Sequence, residues 1–121
     1  MSADIWLESK DGEPLDFGYQ MPAVQNISNV TYGNHFNLTY NLSPMLWQAG
    51  MPAWRDMVGM SAAEAGAIWN NVVIEMVTHP DKYKPYNPKN GWGSYEQALE
   101  VLGALVTACR AHPEAVIAAS L

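Results

Sequence analysis

Two stretches of this chain carry both a start and a stop signal for a helix, and they dictate most of what it can fold into. Ser61-Ala62-Ala63-Glu64 and Ser94-Tyr95-Glu96-Gln97 are capping boxes, in which the serine hydroxyl accepts from the backbone N–H three residues on. Eighteen residues after each serine stands a histidine followed by an imino acid, His79-Pro80 and His112-Pro113. A residue before proline is pushed out of the helical region, so each helix must stop there. Between these signals Ala65, Ile68, Trp69, Val72, Met76 and Val77 recur at helical spacing in the first segment. Ala98, Leu99, Leu102, Leu105, Val106 and Cys109 do so in the second. The spacing predicts helices from Ser61 to about Thr78 and from Ser94 to about Ala111. Two equal helices joined by a compact loop predict an antiparallel pair. The helix interiors do not match, so the shared pattern reads as one punctuation used twice rather than as a duplication.

Such a pair must bury its stripes, and the available strand-forming runs lie outside it. Ile5-Trp6-Leu7 is strand-like, and Lys10 to Pro14 is a turn by composition. Phe36 to Leu42 alternates apolar and polar residues like a half-buried strand. Ala115 to Leu121 reads as a final strand paired with the Ile5 strand. Ser43-Pro44 looks like a cap with proline at the first helical position, opening a short helix over Met45 to Ala49 that Gly50 and Pro52 stop. Trp54 to Met60 reads as a connector, and residues 79–93 as a long structured loop. Residues 15–33 read as irregular, with one short strand near Val24. The expected fold class is α+β: two main antiparallel helices plus one short helix packed on a small, mostly antiparallel sheet. Residues 1–121 are expected to form a single domain, with 1–33 a strand and irregular N-terminal part and 34–121 holding a strand, the helices and the C-terminal strand.

Composition removes several function classes. Hydrophobic residues make up 49% of the 121 positions and charged residues 15%, too apolar and too lightly charged for disorder. The net charge of −6 argues against duplex nucleic acid as a partner, since that needs a basic face. Lys82, Lys84 and Lys89 hold half of the Lys and Arg charge within eight residues. The single cysteine, Cys109, cannot form an internal disulfide, which fits a reducing compartment. Met1 to Lys10 lacks a signal-peptide pattern, and no run of eighteen apolar residues exists, so no membrane association and a cytoplasmic location are expected. The Asn-x-Ser/Thr triplets at Asn26, Asn29, Asn37 and Asn41 are therefore read as polar strand and loop residues rather than as glycan acceptors.

Few residues are placed for catalysis. His79 and His112 sit at predicted helix C-termini, where the dipole favours a cation. No His-x-x-x-His or Cys-x-x-Cys spacing points to a metal, and no cofactor is expected. Cys109 lies on an apolar helix face and reads as core. The polar concentration is elsewhere. Asn37, Thr39 and Asn41, at alternating positions, would project from one strand face as a row of neutral donors and acceptors. Asn87-Pro88-Lys89-Asn90-Gly91-Trp92-Gly93-Ser94 leads into a helix N-terminus, with Lys89 and the backbone suited to an anion and Trp92 and Tyr86 offering stacking faces. The candidate ligand-binding set is Asn37, Thr39, Asn41, Lys89, Asn90, Trp92 and Ser94.

Asn37-Leu38-Thr39-Tyr40-Asn41-Leu42, the run Asn87 to Glu96, and Ala108-Cys109-Arg110-Ala111-His112-Pro113 resemble a family of uncharacterised small proteins of phages, plasmids and bacteria. The resemblance covers about residues 34–121, and the Asn-Gly-Trp-Gly-x-Tyr string is its most distinctive part. Relatives often carry histidine where this chain has Tyr40. The likeness implies a mobile-element context and no particular chemistry. The expected function is that of a non-enzymatic binding protein, phage-encoded on this likeness, which sequesters a small anionic, nucleotide-like ligand or blocks a host protein. The alternative is a homo-oligomeric assembly subunit. A small enzyme using His79 or Glu96 as acid–base ranks third.

Overall fold

The computed structural model describes residues 2–15, 19–20, 32–33 and 35–121. Strand β1 (Ser2–Glu8) alternates strictly. Ala3, Ile5 and Leu7 are fully buried, whereas Ser2, Asp4, Trp6 and Glu8 lie half-buried on the opposite face. A one-residue slip would exchange the two sets, so burial fixes the register. β2 (Tyr19–Gln20) and β3 (Tyr32–Gly33) form a separate antiparallel pair. β4 (Phe36–Thr39) and β5 (Val116–Ser120) flank β1, both antiparallel to it, in the order β4-β1-β5. Ile5 lies opposite Phe36 on one side and Ala119 on the other.

Five α-helices complete the described fold: α1 (Ser43–Gln48), α2 (Trp54–Met57), α3 (Ala62–Thr78), α4 (Pro80–Tyr83) and α5 (Tyr95–Ala111). The two long ones obey their sequence signals. Ser61 Oγ accepts from Glu64 N–H at 3.1 Å and Ser94 Oγ from Gln97 N–H at 3.1 Å. Both end on their pre-proline histidine in nearly the same conformation, φ −128° and ψ 61° at His79, φ −135° and ψ 65° at His112. They are antiparallel. Ala63 N–H donates to Pro113 O at 3.0 Å near one end, and Tyr95 O–H to Met76 O at 2.7 Å near the other. Gly66 allows the close approach, because a methyl group there would lie 2.7 Å from Cys109 Cβ. The α+β class with an antiparallel helix pair is thus as the sequence predicts, with three short helices rather than one.

The loop entering α3 also clasps the sheet. Ile117 N–H donates to Met60 O and Gly59 N–H to Ile117 O, each at 2.9 Å, so these residues partner the outer edge of β5. The core fills the space between the inner sheet face and the helices, with Trp69 its largest fully buried side chain.

Four local expectations change. The strand from Phe36 stops at Thr39, and Tyr40–Leu42 is a 3-10 turn running straight into α1. The Trp54–Met60 connector contains α2, and the 79–93 loop contains α4 and a 3-10 turn at Lys84–Tyr86. Val77, expected on the core face of α3, is exposed, and Ile68 is half-buried. The strand expected near Val24 lies outside the described residues. No helix among the described residues is long and apolar enough to cross a membrane.

Candidate functional site

The amide of Asn37 is the first polar group singled out by sequence, and the sheet register decides what it does. Asn37 stands opposite Asp4. Its Nδ2 donates to Asp4 Oδ1 at 2.7 Å and to Ser2 Oγ at 2.9 Å. On the same outer face Trp6 meets His35 edge-on, ring centroids 4.9 Å apart, and Trp6 Nε1 donates to Glu8 Oε2 at 3.0 Å. Asp4 and Glu8 make this face a poor place for an anion.

Thr39 and Asn41 do not continue that row. Thr39 is only 7% exposed, and its Oγ1 accepts from Asn41 N–H at 3.3 Å and Asn41 Nδ2 at 3.0 Å. A Thr hydroxyl that caps the next turn competes with the strand ladder and ends it. The expected single-face row of Asn37, Thr39 and Asn41 is therefore replaced by an Asn37–Asp4–Ser2 cluster and a separate Thr39–Asn41 cap.

The 87–94 loop is fastened at three points. Asn87 Oδ1 accepts from Tyr95 N–H at 2.7 Å, and Asn90 Oδ1 from Trp92 N–H at 2.9 Å. Gly93 lies against Thr39 and Leu42, where an added Cβ would be 2.8 Å from Thr39 Cγ2 and 3.0 Å from Leu42 Cγ. The two segments singled out by sequence thus meet at Gly93. The start of α5 is largely self-satisfied. Asn87 takes the Tyr95 N–H and Ser94 the Gln97 N–H, leaving Glu96 N–H as the first-turn donor without an acceptor among the described residues. Ser94 is thereby a cap, and little of the helix start remains to hold an anion.

Lys89, Asn90 and Trp92 remain accessible. Lys84 Nζ lies 5.5 Å from the centroid of the Tyr95 ring, and Lys82 Nζ is 3.6 Å from Glu75 Oε2. Lys89 is exposed and unpaired among the described residues. The Trp92 indole is 48% exposed.

Sequence reasoning missed a polar knot beside this loop. Tyr83, fully buried, donates its O–H to Glu75 Oε2 across the α3–α4 break. Burial first, then the hydrogen bond and charge of Glu75, with a smaller contribution from Tyr86, push the phenol up to about 12. The Tyr83 hydrogen bond holds the Glu75 carboxyl below its ordinary 4.5, against a smaller opposing effect of desolvation, with His79 and Lys82 assisting. No sequence period links positions in different helices, so nothing in the sequence announced the pair. A raised phenol contributes stability that is complete below its unfolded value of 10.0 and is lost as pH rises towards about 12. A depressed carboxyl contributes stability that is present above 4.5 and is lost as pH falls below it. Tyr83→Phe is expected to flatten both limbs in urea titrations run across pH. The alkaline limb will persist in part, because burial and Glu96 also raise the Tyr95 phenol. Limbs identical in slope to the unsubstituted protein would show that the pair is not linked to folding.

Among the described residues no group of three His, Cys, Asp or Glu side chains is placed to hold a metal ion. Cys109 is buried and its thiol is pushed up to about 12 by that burial, which disfavours the thiolate a nucleophile needs. Both amide atoms of Gln97 are buried without a partner among the described residues. No protein-family model matches the chain, and no curated protein and no solved structure is similar to it.

Proposed function

We propose that this protein is a small binding protein that captures a planar, negatively charged ligand of nucleotide type on the 87–94 loop. The Trp92 indole is the stacking face, Lys89 the counter-charge and Asn90 Nδ2 a hydrogen-bond donor. The observation that carries this reading is a half-exposed Trp92 on a loop pinned by Asn87, Asn90 and Gly93. A large aromatic held in water by a fixed backbone gives up apolar burial, and stacking on a ligand recovers it. Pinning also lowers the ordering cost of binding. Recognition rests on the indole and the lysine rather than on the helix dipole, since Asn87 and Ser94 already occupy most of the α5 start.

Native mass spectrometry of the freshly purified protein, with and without denaturation, tests this directly. An excess mass that is lost on denaturation and absorbs as a nucleobase supports the reading. Calorimetric titration with mononucleotides, with ribose 5-phosphate as a non-planar control, gives the affinity. Trp92→Ala is expected to weaken nucleotide binding about 5- to 150-fold, the equivalent of ~1–3 kcal/mol of base stacking. Binding of ribose 5-phosphate equal to that of nucleotides, or nucleotide binding indifferent to Trp92→Ala, would sink it. A bare mass with no titration signal would also sink it and leave capture of a host protein.

A further inference from the structure

Where β4 passes into the 3-10 turn and β5 reaches its last residues, the fold leaves a recess of about 180 Å³. Tyr40, Ser43, Trp47, Trp54, Arg55 and Leu121 contribute to its wall. The sequence brings them there by local rules. The Thr39 hydroxyl caps the next turn and ends β4, so the chain coils at once into α1. Tyr40, Ser43 and Trp47 are then spaced by three and four residues, which sets them along one face of that coil. The single turn of α2 supplies Trp54 and Arg55.

The polar groups of this wall are not engaged by the chain. Ser43 is only 9% exposed, yet its Oγ has no hydrogen-bond partner among the described residues. A buried hydroxyl is normally bonded, so an open one at a recess points to a partner from outside the chain. The Tyr40 phenol, the Trp47 and Trp54 indole N–H groups and the Arg55 guanidinium also make no hydrogen bond with a described residue. Each of the five groups donates or can donate. No carboxylate among the described residues lies within 4.0 Å of Arg55. That holds for Asp56, its neighbour on α2, and for the main-chain carboxylate of Leu121. Asp4 lies on the outer face of the sheet, where Asn37 holds it.

A wall rich in donors, with one unpaired cation, selects an acceptor that carries negative charge. The guanidinium fork matches the two oxygens of a carboxylate edge-on. One positive charge suits a monoanion. A phosphate ester carries nearly two, and the excess would go unmatched in a chain of net charge −6. Arg55 also repels the ammonium group that an aromatic cage would otherwise take. The rest of the wall is apolar. Trp47 is 57% exposed and Leu121 56%, so a ring or branched chain lying against them would recover burial that the protein alone forgoes. The recess is smaller than the roughly 300–1,000 Å³ of sites for drug-sized molecules, which limits that body to about one ring. We propose that the recess where Tyr40, Ser43, Trp47, Trp54 and Arg55 meet binds a small organic carboxylate, a monoanion on an apolar body of one ring. Arg55 and Ser43 take the carboxylate, and the indoles and Leu121 enclose the ring. The site shares no residue with the 87–94 loop and does not depend on it.

Titration of the full chain with sodium benzoate, read from the indole N–H signals in two-dimensional NMR, is the test. Benzamide is the neutral control of the same shape, and phenyl phosphate the control with more charge. Saturable shifts of the Trp47 and Trp54 signals are expected with benzoate, at least about tenfold weaker with benzamide. Arg55→Gln should raise the benzoate dissociation constant about tenfold, through loss of a charge-assisted pair. Arg55 is exposed, so an unchanged melting curve separates this loss from misfolding. Arg55→Lys keeps the charge without the fork and should fall between the two. Trp92→Ala should leave benzoate binding unchanged, which keeps this site distinct from the 87–94 loop. Benzamide equal to benzoate, benzoate binding indifferent to Arg55→Gln, or no saturation at millimolar benzoate would overturn the proposal. Tighter binding of phenyl phosphate than of benzoate would overturn the assignment to a monoanion.

Discussion

Replacing Gly93 by alanine is expected to destabilise the protein by about 2–5 kcal/mol, seen as a lower urea midpoint at an unchanged m-value. Two effects add. Gly93 has φ +107°, in the left-handed region that a Cβ disfavours by roughly 1–2 kcal/mol. The new methyl would also lie 2.8 Å from Thr39 Cγ2 and 3.0 Å from Leu42 Cγ. Both neighbours are buried, and Thr39 is tied to Asn41, so neither can step aside freely. Overpacking of this kind costs about 1–3 kcal/mol. Gly91 separates the two contributions. It has φ +78° but no atom of the described residues within 4 Å of an added Cβ, so Gly91→Ala should carry the conformational cost alone. Equal losses at the two positions would mean that the loop does not seat on Thr39 and Leu42 in solution. The distinction bears on function, because Trp92 stands between these glycines and its presentation depends on that seat.

The parts of the fold legible in the sequence are those whose signals are local. α3 and α5 carry a capping serine at one end and a pre-proline histidine at the other, and both ends fall where those residues require. β1 was readable because Ile5-Trp6-Leu7 is a short run of strand-forming residues ahead of the Lys10–Pro14 turn. The end of β4 was not, since Phe36 to Leu42 has the same alternation whether Thr39 joins a ladder or caps a turn; only its burial and its bonds to Asn41 decide. α2 and α4 are single turns, too short to form on propensity, and exist because Trp54, Met57 and Tyr83 are buried by distant parts of the chain. The orientation of α3 was misread at Val77 for a related reason. Apolar residues cover two adjoining sides of that helix, Val72 and Met76 on one and Ile74 and Val77 on the next, so periodicity alone cannot choose which side meets the core. The candidate site was legible in its location more than in its chemistry. The Asn-rich strand end and the Gly-Trp-Gly loop do meet, at Gly93. The donors that looked open in sequence are instead engaged by Asp4, Ser2, Asn87 and Ser94, partners set by tertiary register or by loop closure.

Trp69 is where the largest side-chain deletion effect is expected, and two substitutions there pull apart. Trp69→Ala removes the biggest fully buried side chain and should lose about 3–5 kcal/mol, through transfer and through the cavity left beneath Trp54. The tilted Trp54–Trp69 contact, with ring centroids 6.3 Å apart, goes with it. Trp69→Phe keeps much of that ring volume. It also removes the indole Nε1, a buried donor that has no acceptor among the described residues. Leaving such a group unsatisfied costs about 1–3 kcal/mol, so its removal offsets part of the lost packing. Trp69→Phe is therefore expected to be much closer to the unsubstituted protein than Trp69→Ala, by denaturant titration with far-UV circular dichroism as the probe. If the two substitutions are equally damaging, the Nε1 donor finds an acceptor in solution. The core of α3 would then hold a polar contact under Trp69, and the unpartnered amide of Gln97 on α5 would be the next group to examine for the same arrangement.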